Sequence, residues 1–191
     1  MNQKQAICVY CASSSNISQS YIDAAFNLGQ LIAKKGKHVV CGAGRAGLMG
    51  ALIDGAIAQN GQAIGVIPQF MVENGWHHSQ LTQMEVTDNM HERKNRMAEL
   101  SLAIIALPGG CGTLEELLEI ITWRQLGLYS GNIVILNIDG YYNPLLQMLE
   151  QATQQGFMKA DHSNLWQVAN TPEEAVEMAL KENNNNFSSK Y

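Results

Sequence analysis

Leu102-Ala-Ile-Ile-Ala-Leu107 followed by Pro108-Gly-Gly-Cys-Gly-Thr-Leu-Glu-Glu116 is the stretch on which the reading of the fold turns. Six consecutive apolar residues without polar alternation read as a strand buried on both faces, the pattern of a parallel sheet. The run breaks at Pro108-Gly109-Gly110 and passes into a long helix reaching about Leu126. The same punctuation recurs outward in both directions. Upstream, Gln5–Cys11, His38–Cys41, Ala63–Ile67 and Met84–Thr87 read as strands. Tyr21, Ala24, Ala25, Leu28, Leu31 and Ile32 fall at helical spacing, with Gly36 closing that helix. Downstream, Ile133–Ile138 is a further buried strand, Leu145–Ala152 an amphipathic helix, and Thr171-Pro172-Glu173-Glu174 the start of a last helix. Strands alternating with helices predict an α/β fold, a Rossmann-like doubly wound parallel sheet flanked by helices. It is expected as one nucleotide-binding domain over residues 1–182, with a polar, frayed tail over 183–191. Gln69–Gln80 reads as an irregular excursion or lid. Ligands in such sheets lie at the carboxyl ends of the strands. The loops that matter are therefore Ala12–Ser18, Gly42–Gly47 and Pro108–Thr113.

Composition narrows the class. Of 191 residues, 46% are hydrophobic and 15% charged, enough apolar surface to order a chain and fewer charges than usual. No stretch reaches the roughly 18 apolar residues that a membrane span needs. Twelve Lys and Arg against seventeen Asp and Glu give a net charge of −5, which argues against a nucleic-acid footprint. A single anionic small molecule stays compatible with that balance. The N-terminus MNQKQAICVYC runs into a strand without an apolar signal core, so a cytoplasmic protein with reduced Cys8, Cys11, Cys41 and Cys111 is expected. Cys8 and Cys11 have no second ligand pair nearby, and neither a metal nor a cofactor is expected. His77-His78 reads as solvent-exposed, and Asp54 as solvated.

Three motifs carry chemistry. Gly42-Ala-Gly-Arg-Ala-Gly47 fits G-x-G-x-x-G between a strand and a helix, suited to close approach of a phosphate. The next strand ends Gly65-Val-Ile-Pro68 without the acid that would hold a ribose, which disfavours dinucleotide binding; a turn needed only for packing is the other reading. In Pro108–Glu116, three glycines in four positions let backbone amides face an anion at the helix start. Thr113 and Glu116 also fit a capping box, which by itself would explain both residues. In Met90-His-Glu-Arg-Lys-Asn-Arg-Met97, Arg93 and Lys94 share a helical face with two methionines. Two cations on a face that should be buried need a partner: either they snorkel at a helix edge or dimer interface, or they reach an anionic ligand at the strand ends.

Taken together, Cys41-Gly-Ala-Gly-Arg-Ala-Gly-Leu-Met-Gly50, Met90-His-Glu-Arg-Lys94 and Pro108-Gly-Gly-Cys-Gly-Thr-Leu-Glu-Glu116 resemble the signatures of the LOG ("lonely guy") family. Its members are cytokinin riboside 5′-monophosphate phosphoribohydrolases, of a superfamily long labelled lysine decarboxylases. The resemblance covers roughly residues 5–180, including Ile121-Thr-Trp123 and Asn137-Ile-Asp-Gly-Tyr141. Two departures are small: Ala43 stands where the family has the central Gly of a triple-Gly turn, and Cys111 fills the variable position of the P-G-G motif. The resemblance implies hydrolysis of the N-glycosidic bond of a nucleoside 5′-monophosphate, cytokinin riboside monophosphate or AMP, to free base and ribose 5-phosphate. It implies Arg93 and Glu116 as the catalytic pair. Lys94, Gly44, Gly109, Gly110, Cys111, Gly112 and Thr113 are implied as substrate-binding positions. It further implies a homodimer with the Arg93 helix near the interface. The alternative within the same fold is a carrier, like the molybdenum-cofactor carriers, that binds without hydrolysing. No lysine stands in a Schiff-base context, which speaks against a pyridoxal-phosphate decarboxylase.

Overall fold

The computed structural model describes residues 5–182; the tail expected at 183–191 lies outside them. Seven parallel strands form one sheet: β1 (Ala6–Tyr10), β2 (His38–Cys41), β3 (Ala63–Pro68), β4 (Gln83–Thr87), β5 (Ser101–Ala106), β6 (Asn132–Leu136) and β7 (Gln167–Ala169). Their order across the sheet is β4-β3-β2-β1-β5-β6-β7. The helices are α1 (Gln19–Lys34), α2 (Gly47–Ala58), α3 (Gln69–Glu73), α4 (Met90–Leu100), α5 (Cys111–Gln125), α6 (Asn143–Gln154) and α7 (Pro172–Leu180).

The strands are apolar in both phases because both faces are covered. Ile7, Val9, Val39, Ile105 and Val134 face a core formed with α1, α2 and α7. Ala6, Cys8, Tyr10, Val40, Ile104 and Ile133 face the other, formed with α4, α5 and residues flanking α6. Period-2 alternation between two apolar layers removes the polar face by which an exposed sheet would announce itself. The doubly wound reading is therefore correct.

The sheet grows from β1 to β4 in one direction; α4 then crosses back, and β5 pairs with β1. The crevice at the carboxyl ends of β1 and β5 is the topological switch point, where ligands bind in open α/β sheets. Because α4 begins at the carboxyl side of the sheet, its first turn, with Met90 and Arg93, lies at that crevice.

Three local expectations change. The segment 69–80 is ordered as α3 followed by a strap, with an antiparallel bridge between His77 and Gly44. A seventh strand, β7, escaped notice because three residues at a sheet edge carry too little periodicity to stand out. The capping box expected at Thr113 and Glu116 does not form: Gly110 caps α5, so Thr113 lies inside the helix and Glu116 one turn further on. A side-chain cap forms instead on α4, where the Asn89 side chain accepts from the Glu92 amide at 2.9 Å, and Glu92 accepts from the amide of Asp88, the residue before the cap, at 3.1 Å.

Helices α1 and α2 touch through glycines. A Cβ on Gly55 would lie 2.0 Å from the Phe26 carbonyl oxygen, and one on Gly29 2.1 Å from that of Leu52. Mid-helix Gly→Ala ordinarily gains up to about 1 kcal/mol. Here the helices must separate instead. Gly55→Ala is expected to destabilise by about 1–3 kcal/mol, read from the midpoint of chemical denaturation.

Candidate active site

A cavity of about 590 Å³ opens over the switch point. The loop after β1 (Cys11 to Ser14), the turn after β2 (Gly42, Gly44 to Ala46), Ile67 at the end of β3, the strap residues Met71 and Trp76, α4 and the start of α5 line it. The three loops singled out from sequence thus converge.

Arg93 lies across the floor. Its Nε donates to the Val66 carbonyl of β3 at 3.1 Å, and its Nη1 stands 3.7 Å from a Glu116 carboxylate oxygen. Both side chains are about nine-tenths buried. The guanidinium passes so close beneath the end of β2 that a Cβ on Gly42 would fall 1.7 Å from its Nη2. The first glycine of G-x-G-x-x-G thus makes room for a side chain of the protein itself. The next residue, Ala43, is in the left-handed region at φ 65° and fully buried. A residue with a Cβ is strained there by roughly 1–2 kcal/mol, a strain the family's glycine would not carry.

Burial drives the Glu116 carboxyl up to about 7, against the opposing pull of Arg93. Near neutrality it therefore exists both as acid and as carboxylate. The same low-dielectric surroundings push the thiols of Cys8, Cys11 and Cys41 upward, that of Cys41 to about 11, which keeps them unreactive. All four cysteines are free.

At the β5 side, Gly110, Gly112 and Thr113 line the cavity, and nothing lies within 4 Å of a Cβ built on Gly110 or Gly112. The amides of the first turn of α5 have no intrahelical partner and face this opening, an arrangement suited to a phosphate. Two tyrosines hold the loop from below. Tyr141 donates to the Gly109 carbonyl at 2.6 Å and Tyr142 to the Leu107 carbonyl at 2.7 Å. Gly109 is buried beneath Thr113, whose Oγ1 lies 2.1 Å from where its Cβ would be; Gly109 shapes the loop rather than lining the cavity. Cys111 is exposed beside the cavity, and Gly44 lines it.

Lys94 goes elsewhere. It does not line the cavity; its ammonium pairs with Glu115 and, at 3.0 Å, with Glu119 on α5. Burial works against its charge, but the two carboxylates outweigh it and hold the ammonium above its ordinary range. Neighbouring positions on a helix point about 100° apart, so Arg93 and Lys94 share a buried side without sharing a target. His77 and His78 are half-buried rather than exposed, and His78 stands 3.2 Å from the Asp54 carboxylate. The sequence motifs contain Ser13, Ser14, Arg45 and Tyr141 without giving any of them a role of its own, and Tyr142 lies just outside them. Arg45 was visible within the glycine turn; the tyrosines gave no local signal, because they act 32 and 35 residues away.

A switch-point cavity with a buried arginine–carboxylate pair beside an open helix start defines an α/β protein with a preformed polar ligand cavity. A family model described as "Possible lysine decarboxylase" matches residues 49–179. The cytokinin riboside 5′-monophosphate phosphoribohydrolase LOG of Oryza sativa subsp. japonica is 42% identical over 171 residues, spanning 89% of this chain and 70% of that protein. LOG3 of Arabidopsis thaliana, named for the same activity, is also 42% identical, over 89% of this chain and 79% of its own. Among solved structures, a molybdenum cofactor carrier protein from Chlamydomonas reinhardtii superposes with a TM-score of 0.71 over 92% of this chain and 95% of that one; at 22% identity it shows the shared fold. The chain belongs to the LOG family, whose members are named as phosphoribohydrolases.

Glu116 ties stability to pH. Its folded pKa of about 7 lies above the ordinary 4.5, so its favourable contribution is complete below pH 4.5 and is lost as pH rises through 7. Glu116→Gln is expected to gain on the wild type by on the order of 2–3 kcal/mol between pH 5 and pH 8. Parallel Tm–pH profiles for the two proteins would contradict this placement of the carboxyl.

Proposed function

We propose that this protein hydrolyses the N-glycosidic bond of a nucleoside 5′-monophosphate, releasing free base and ribose 5-phosphate. Cytokinin riboside 5′-monophosphate is the named substrate class and AMP its unsubstituted counterpart. The observation that carries the reading is the buried Arg93–Glu116 pair at the cavity floor, 3.7 Å apart and within reach of an anion at the α5 start. Membership of a family whose curated members are named for this activity supports it.

The chemistry follows from the positions. The phosphate anchors on the amides of Cys111, Gly112 and Thr113, which fixes the ribose above Glu116. As the base departs, positive charge develops at the anomeric carbon, as in other glycoside cleavages. The Glu116 carboxylate stabilises that charge and orients the water that attacks it. Arg93 keeps a fraction of Glu116 ionised despite burial and orients the nucleotide. Lys94 acts at one remove: by engaging Glu115, which lines the cavity, it keeps that carboxylate from repelling the phosphate.

Free adenine appearing from AMP, or free cytokinin from its riboside monophosphate, is the primary measurement; a carrier binds and releases the nucleotide intact. Glu116→Gln is expected to lower kcat by about 10²–10³. Because the carboxylate is the working form, kcat/KM falls on the acid side with an apparent pKa of about 7, the position of the Glu116 carboxyl in the free protein. Near-wild-type turnover by the Gln variant would remove Glu116 from the mechanism.

The protein is further read as a cytoplasmic homodimer. Four free cysteines suit a reducing compartment, and no helix among the described residues is long and apolar enough to cross a membrane. Leu118, Leu126, Leu128 and Met148 are exposed around α5 and α6, apolar surface that a second copy would cover. Sedimentation is expected to return twice the chain mass at micromolar concentration, and a strict monomer would refute the dimer.

A further inference from the structure

The peptide unit between Gly109 and Gly110 lies immediately before α5, with Gly110 as the N-cap. Gly110 lines the cavity, whereas Gly109 is buried beneath Thr113. Neither residue has a Cβ to resist rotation of the peptide plane between them, and a glycine at 110 tolerates either sense of φ. Sterically, the unit can present its N–H or its C=O to the cavity. Only the N–H suits an anion.

Hydrogen bonding decides between the two. The Tyr141 hydroxyl donates to the Gly109 carbonyl at 2.6 Å. In a planar trans peptide the C=O and the N–H point in opposite directions. Tyr141 does not line the cavity, so holding the carbonyl on its own side turns the Gly110 N–H away from it and toward the opening. The hydroxyl is itself well fixed. The Tyr141 ring meets those of Tyr21 and Tyr142 edge-on, with centroids 6.2 and 5.1 Å away. The Tyr142 amide donates to the Asn137 side chain at 2.7 Å. The Tyr142 hydroxyl bonds the Leu107 carbonyl in the same manner, but the peptide it holds continues into Pro108, which has no N–H. Of the two tyrosines, only Tyr141 therefore aims a donor.

We infer that Tyr141 is a positioning residue for the substrate phosphate: its hydroxyl locks the Gly109–Gly110 peptide so that the Gly110 amide joins those of Cys111, Gly112 and Thr113 in facing the anion. This rests on the hydrolase reading, which puts the phosphate at the α5 start. Without the hydroxyl the peptide turns over in part of the population, and a carbonyl oxygen then faces the phosphate. Binding selects the state with the N–H inward, and the apparent affinity falls with the fraction of that state.

Calorimetric affinities for ribose 5-phosphate, AMP and adenosine, measured on wild type, Tyr141→Phe and Tyr142→Phe, test this together with steady-state kinetics on AMP. Tyr141→Phe keeps the ring and its edge contacts and removes only the hydroxyl. It is expected to weaken ribose 5-phosphate and AMP about three- to tenfold, the worth of one hydrogen bond, and adenosine by less than about twofold. KM for AMP rises by the same factor while kcat stays within about twofold of wild type. Tyr142→Phe lowers the denaturation midpoint at least as far, yet leaves the affinity ratio of ribose 5-phosphate to adenosine near the wild-type value. Equal losses for adenosine and ribose 5-phosphate in Tyr141→Phe, no loss at all, or the same fall of the ratio in both variants overturns the inference. A wild type that binds AMP no more tightly than adenosine overturns it as well, because the Gly110 amide then serves no phosphate. If the wild type binds AMP and releases no adenine, the hydrolase reading fails by itself, and the affinity ratios still decide the role of Tyr141.

Discussion

The site depends on one constraint: two opposite charges are buried together where either by itself would be intolerable. Arg93 and Glu116 come from helices on the same side of the sheet, and each is nine-tenths buried. An isolated charge in such surroundings is costly enough that the group neutralises or the structure rearranges. Their separation of 3.7 Å is a compromise. The arginine offsets much of the carboxyl's desolvation but not all of it, and Glu116 settles at about 7 instead of the ordinary carboxylate range. A closer, bidentate pair would hold Glu116 fully ionised and occupied. The looser contact leaves a carboxylate free to act on something in the cavity.

Several features of the chain follow from accommodating that pair. Gly42 has no side chain because the guanidinium occupies its Cβ position, and Val66 lends a carbonyl because the Nε–H needs an acceptor. The crossover that returns the chain from β4 to β5 carries α4 across the sheet and sets Arg93 at the switch point. Around this floor the anionic end is built from main-chain amides and the opposite end from apolar side chains. A protein of net charge −5 can therefore offer an anion site without a basic surface, because helix-start amides and one buried cation act over a few ångströms. Total charge governs only the longer range.

Much of this was legible in the sequence, and the failures have identifiable causes. Unbroken apolar strands separated by helical periods specify a parallel sheet because only burial on both faces permits them. The glycine turns marked the loops that line the cavity, although for two motives: Gly110 and Gly112 leave the helix start open, whereas Gly42 and Gly109 make room for side chains of the protein itself. Thr113 and Glu116 were ambiguous because capping and catalysis favour the same residue types at the same spacing. The choice of Gly110 as the cap, which sends Glu116 inward, is made by packing. The surroundings of Lys94 were not legible for a similar reason: adjacency to Arg93 gives a shared helix side, but its partners, Glu115 and Glu119, belong to another helix. The strap over residues 69–80 has no periodicity, and its order comes from main-chain bonds to a turn more than thirty residues earlier.

By itself the sequence determined the layers of the fold, the three loops that converge on the cavity, and the residues able to carry charge among them, because periodicity, glycine placement and residue chemistry are local properties. The tertiary structure alone decided which of two adjacent cations reaches the cavity, how far Glu116 is pushed toward protonation, which tyrosines brace the loop after β5, and that Trp76 lines the cavity. Each of these is set by distances between segments far apart in the chain. Desolvation, Coulomb attraction and steric exclusion depend on those distances and on nothing that sequence spacing encodes.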